Sequence, residues 1–144
     1  MKKVLGLLFV LFAMSLASCN QAPLPPSPFA GIWGGDFSVV LPNGTAVSAA
    51  GELDLTVSTN GAISGTIFSN DPRAGLGKII NGVVNAQGDF TVTYAYNNNP
   101  TGVLRLTGKI KIEGGDLVGT GLRNTTTDAS NTLVATVSVE LGRL

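Results

Sequence analysis

The chain has 144 residues and not one histidine. Imidazole is the usual general base, the partner in Ser-His-Asp and Cys-His sites, and a standard metal ligand, so those chemistries are excluded. A single cysteine rules out an intrachain disulfide and a thiolate zinc site. Charge is scarce as well: 12% of residues, nine of each sign, summing to zero. No basic face for nucleic acid follows from that, and no nucleic-acid partner is expected. No apolar run reaches the roughly 20 residues of a spanning helix. These absences point away from an enzyme, and no catalytic residue, metal or cofactor is expected.

What is present divides in two. Met1-Lys2-Lys3 is a short positive start, and Val4 to Met14 is an apolar run closing on Leu16-Ala17-Ser18-Cys19. A run of that length suits the core of a signal peptide. The closing tetrad resembles the lipobox of bacterial lipoproteins, an aliphatic residue and two small ones before cysteine. The resemblance implies cleavage between Ser18 and Cys19, diacylglycerol on the Cys19 sulfur and acylation of the new amine. The implied location is the bacterial cell envelope, with the rest of the chain extracytoplasmic and membrane-bound through the lipid on Cys19. More than one acyl chain makes such an anchor firm. An ordinary secretory signal with a chance cysteine is the alternative.

The expected organisation is a signal peptide over 1–18, a lipidated cysteine and Pro-rich linker over 19–28, and one domain over 29–144. Asn20 to Pro28 holds four prolines. Proline favours extended polyproline geometry, so this stretch reads as a stalk of roughly 28 Å, or alternatively as a Pro-rich ligand for a partner.

Beyond Phe29 the pattern is period two. Leu53, Leu55 and Val57 alternate with Glu52, Asp54 and Thr56; Phe90, Val92, Tyr94 and Tyr96 alternate with Asp89, Thr91 and Thr93. One wet face and one dry face is the mark of antiparallel sheet. Pro42-Asn43-Gly44, Asn60-Gly61, Gln87-Gly88, Asn98-Asn99-Pro100 and Gly114-Gly115 punctuate the runs as turns. The spacing predicts strands at 31–40, 50–59, 62–69, 78–86, 89–97, 102–113, 116–123 and 131–141. The fold class is therefore all-β, a single eight-stranded antiparallel up-and-down meander barrel, since closure removes exposed strand edges. Gly61, Gly88 and Gly115 begin similar segments 27 residues apart. Duplication of a hairpin and simple equality of hairpin lengths both produce that rhythm. Gly65, Gly82, Gly108 and Gly119 fall inside strands, where they serve either barrel coiling or room for a ligand.

Gly31-Ile32-Trp33 at the start of the first strand, which holds the sole tryptophan, resembles the Gly-x-Trp opening of lipocalins and avidins. The likeness implies a calycin-type barrel closed over Trp33. It also implies an Arg from a late strand covering that ring, with Arg123 the first candidate and Arg143 the second. The chain departs from lipocalins in lacking their Thr-Asp-Tyr-like turn and terminal helix. It departs from avidins in having one Trp, so biotin binding is not carried over.

Several motifs fail on inspection. Gly75-Leu76-Gly77-Lys78 lacks the leading glycine and trailing hydroxyl of a phosphate loop, with Pro72 and Ile79 in those places. Glu52 and Asp54 share the wet face of a strand and read as solvated. Asp71 and Arg73 read as an exposed loop pair of small worth. Three functions remain. The first is a non-catalytic interaction or structural module showing loops 70–77 and 97–101 to a protein partner. The alternative is lipocalin-like binding of a small apolar ligand, with Trp33, Phe90, Tyr94 and Tyr96 lining the site. Less favoured is a barrel spanning the outer membrane.

Overall fold

The computed structural model describes residues 23–144; the signal segment, Ser18 and Cys19 lie outside the described residues. The strands are β1 (Gly31–Val40), β2 (Ala46–Val57), β3 (Ile63–Ser69), β4 (Gly75–Val84), β5 (Asp89–Tyr96), β6 (Asn99–Glu113), β7 (Asp116–Thr126) and β8 (Leu133–Arg143). Each pairs antiparallel with the next, and β8 returns to β1, giving a closed barrel in sequence order. The described residues contain no helix.

The alternation read from the sequence becomes an inside and an outside. Leu53, Leu55 and Val57 point inward and are buried, while Glu52, Asp54 and Thr56 between them are exposed. One continuous core runs from Phe29 to Leu141, through Trp33, Ile63, Val92, Leu117 and Leu122 among others.

Boundaries moved where turns are tighter or strands longer than the residue types suggest. Asn99 pairs with Tyr96, so the β5–β6 turn is Asn97-Asn98, and Pro100 lies within β6. Proline is tolerated there because β6 pairs with β7 only from Leu104 onward, so no neighbour needs the missing N–H. β2 begins at Ala46, where it pairs with Val40, and β7 runs on to Thr126, opposite Leu104.

Bulges decide which side chains face in: in β4 the register slips between Ile79 and Asn81, so Gly77 and Ile79 are buried before it and Val84 after it. Between Gly119 and Leu122 β7 uses three steps against two on β8, from Val139 to Val137. Gly121 absorbs the extra residue at φ 69. The parity of β7 flips there: Leu117 and Gly119 are buried before the bulge, Leu122 and Asn124 after it, and Arg123 is turned outward. In β2 the register slips between Val47 and Gly51, around Ala49 at φ 49. Asn70 holds that strained segment, its Nδ2 donating to the Ala49 carbonyl at 2.7 Å.

The four mid-strand glycines serve packing. A Cβ on Gly65 would run into the Asp54 carbonyl oxygen, one on Gly82 would sit 2.6 Å from Val92 Cγ1, and one on Gly108 2.7 Å from Leu122 Cδ2. A Cβ on Gly119 would stand 3.0 Å from Ile110 Cγ2. The strand walls approach closely at these points, as tight coiling requires.

Candidate functional site

The two ends of the barrel are built differently. At one end β1 begins, β8 finishes, and the β2–β3, β4–β5 and β6–β7 turns gather. Trp33 fills this end and is 2% exposed, its Nε1 donating to the Phe29 carbonyl at 2.8 Å. Arg143, the direct cross-strand partner of Trp33, lays its guanidinium 5.1 Å from the ring centroid and donates to the Ala30 carbonyl at 2.6 Å. Arg143 is therefore the cation over the tryptophan. Arg123 is not: the β7 bulge puts it on the outer wall, opposite Thr107 and Thr136. Gly31 is needed beside this lid, because a Cβ there would lie 2.8 Å from Arg143 Nη2.

Two of the three rhythmic glycines seal the same end. Val84 N donates to the Gly61 carbonyl and Ile110 N to the Gly88 carbonyl, both at 2.9 Å, so each turn folds over the next strand but one. Gly115 stands in open space instead.

At the other end the interior is open. A cup of about 500 Å³ lies between Phe37, Leu53, Ile67, Tyr94, Asn124 and Val137, among other residues. Its wall is mostly apolar, and Ala49, Ala50, Ala74 and Ala135 leave the space that larger side chains would fill. Tyr94 and Tyr96, neighbours on β5, meet edge to face on one wall of it, with ring centroids 5.6 Å apart and planes at 88°. Burial pushes both phenols up from their ordinary pKa, Tyr94 far more than Tyr96. Both are neutral hydroxyls at physiological pH, fit to donate or accept a hydrogen bond.

Polar groups are few and graded by depth. Asn124 lies deep, 7% exposed, beside the Tyr94 hydroxyl. Ser69 neighbours Tyr96 nearer the rim, and Ser69 Oγ accepts from Asp71 N at 3.1 Å. Asp71 is at the rim, where Arg73 holds it bidentately at 3.0 and 2.8 Å and lowers its carboxyl to about 2. Both members of that pair are solvated, so it orders the rim without adding much stability.

Of the sequence-proposed lining residues, Tyr94 and Tyr96 line the cup. Phe90 and Trp33 belong to the packed half: Phe90 faces Gly108 and Val84, and Trp33 plugs the closed end. Sequence reasoning missed Phe37 and Asn124. Phe37 was legible, since it shares the inward parity of Trp33 on β1. Asn124 was not: the Gly121 bulge that flips β7 leaves only a glycine as its trace. A shallow groove on the outer wall near Asp36, Asp116 and Glu140 is also present. Among the described residues no three Asp, Glu, His or Cys side chains come together as metal ligands. No protein family's sequence profile matches the chain, and no curated protein matches it.

Proposed function

We propose that this chain is a lipid-anchored, non-catalytic barrel of the bacterial cell envelope that binds one small, largely apolar molecule in the cup. The observation that carries the reading is the asymmetry of the interior, packed solid around Trp33 and left open for about 500 Å³ around Tyr94 and Tyr96. Small-molecule sites are concave, mostly apolar and furnished with a few placed polar groups, as this one is. The loop-display alternative calls for an interior filled at both ends, and this one is filled at one. Arg143 over Trp33, behind the Gly31-x-Trp33 opening, supports a calycin-type barrel.

The outer wall argues against a spanning barrel. Lys78, Arg105, Lys109, Lys111 and Arg123 face outward and are exposed. Cationic side chains on a lipid face cost about 2–4 kcal/mol each at the bilayer midplane.

Orientation follows from where the chain enters. Ser27 N donates to the Thr59 carbonyl at 2.7 Å, which ties the Pro-rich approach to the closed end. A lipid on Cys19 then holds the closed end toward the membrane and turns the cup outward, where it meets ligand from the aqueous side. Among the described residues the core lies within Phe29 to Leu141, so the unlipidated chain from residue 20 onward retains it and is the form to test.

The test is titration of that form with the neutral fluorophore N-phenyl-1-naphthylamine, against Ala135→Trp. Ala135 faces the cup from β8, so the indole occupies the void. The reading expects saturable one-to-one binding that the substitution abolishes. Absence of binding, or equal titration of both proteins, contradicts it. Lipidation is tested separately: a Cys19→Ser variant that still partitions with membranes contradicts the anchor.

A further inference from the structure

One atom in the cup has no use in the fold. Asn124 faces inward from β7, paired with Leu106 on one side and Ala135 on the other, and lines the cup. Its Oδ1 is buried and accepts no hydrogen bond among the described residues. Native interiors seldom keep a buried acceptor unpaired, because its lost hydration is not recovered. A leucine of nearly the same shape would fill the position without that penalty. Asn124 stands beside the Tyr94 phenol, which burial pushes up and the Asn124 carboxamide eases back toward ionisation.

The rest of the cup restricts what completes it. Among the described residues its lining holds no lysine or arginine, and the one carboxylate there, Asp71, sits at the rim already paired with Arg73. A carboxylate ligand would find no cation inside and would face Asn124 Oδ1. A permanent cation would surrender its hydration to neutral groups alone.

We propose that the cup selects an uncharged, mainly apolar molecule with an O–H or N–H donor at its leading end, and that this donor is received by Asn124 Oδ1 after a rotation of the carboxamide about χ2. The apolar body then lies against Phe37, Leu53, Ile67 and Val137, with the Tyr94–Tyr96 pair as its aromatic wall. The inference rests on the cup being a ligand site and adds the specificity of that site. Torsion about χ2 of asparagine is broad, so the carboxamide has orientations that present Oδ1 to the lumen. A site built to hydrogen-bond a ligand group discriminates strongly against the analogue that lacks it.

The experiment is calorimetric titration of the unlipidated chain with 2-naphthol, 2-methoxynaphthalene and 2-naphthoate. The methyl ether is the more hydrophobic of the first pair, so burial alone favours it. The expected result is 2-naphthol binding about tenfold tighter than its ether, with naphthoate weakest. In Asn124→Leu the preference shrinks to within about twofold or reverses. Should that variant fail to fold, the Asn124 side-chain carbonyl ¹³C resonance in the unmutated protein serves instead. It shifts with 2-naphthol and stays with the ether. Equal affinities for naphthol and ether, both lost in Ala135→Trp, overturn the donor inference while leaving the cup as a ligand site. A preference that survives in Asn124→Leu also overturns it. No binding of any of the three up to about 1 mM removes the ligand-site reading, and the inference with it.

Discussion

The two ends of the barrel share strands, alternation and hydrogen-bond ladders, yet one end is sealed and the other is hollow. The difference lies in a few side chains. The sealed end receives a tryptophan, a phenylalanine beneath it, an arginine across it, and two turns folded over it through Gly61 and Gly88. The hollow end receives four alanines and two phenols that lean on each other. A meander barrel fixes only which positions face inward; the volume placed at those positions decides whether an end is a plug or a receptacle.

Substitutions that attack one end and leave the other alone make this contrast measurable. The largest effect is expected for Trp33→Ala. It removes the plug and should cost about 3–5 kcal/mol in chemical denaturation. The surviving folded fraction should still bind the naphthylamine reporter at low temperature. Gly88→Ala should come next. Its φ of 81 penalises any side chain, and the new Cβ meets the Ile110 carbonyl oxygen. A loss of about 2 kcal/mol is expected, against about 1 kcal/mol for Gly114→Ala, whose φ is 64 but whose surroundings are open.

Alkaline pH should act on the open end through its phenols. The two tyrosines of the chain are both in the cup, and burial holds their folded pKa above the ordinary 10.0. Between the unfolded and folded pKa the native state keeps protons that the unfolded chain has released. Stability is thus full below about pH 10 and falls as pH rises further, by up to about 1.4 kcal/mol per unit for each fully buried phenol. Denaturant midpoints measured from pH 9 to 11 should show the decline, and Tyr94→Phe should flatten most of it. Arg143→Ala should cost about 1 kcal/mol, the worth of a partly exposed cation over an indole, with a change in tryptophan emission as the optical check. Ala49→Gly should be the smallest change, a gain of at most about 1 kcal/mol from relief of a left-handed alanine at the cup's rim, read from the thermal midpoint.

Much of the architecture was legible because the physics behind it is local. Alternation along Leu53–Leu55–Val57 names a face, Asn60-Gly61 names a turn, and eight strands without an edge signal imply closure. The contents of the two ends were less legible, because they depend on parity along strands that slip. Counting by twos from Leu117 puts Arg123 inside and Asn124 outside; one extra residue at Gly121 reverses both. That slip turns Arg123 onto the outer wall and brings Asn124, the deepest polar group of the cup, inside. Phe90 and Tyr94 carry the same pattern two turns of the pleat apart, and nothing within β5 tells which of them reaches open space. That is set by the alanines that line the cup elsewhere in the chain.

The central claim, a plug at one end and a receptacle at the other, is tested most directly by amide chemical shifts of the unlipidated chain during titration with 2-naphthol. The account predicts perturbations confined to the open half, at Phe37, Leu53, Ile67, Tyr94, Leu106, Asn124 and Ala135, with Trp33, Val57, Val84, Leu117 and Leu141 unmoved. Shifts centred on the Trp33 end, or spread evenly along the outer wall, would contradict it.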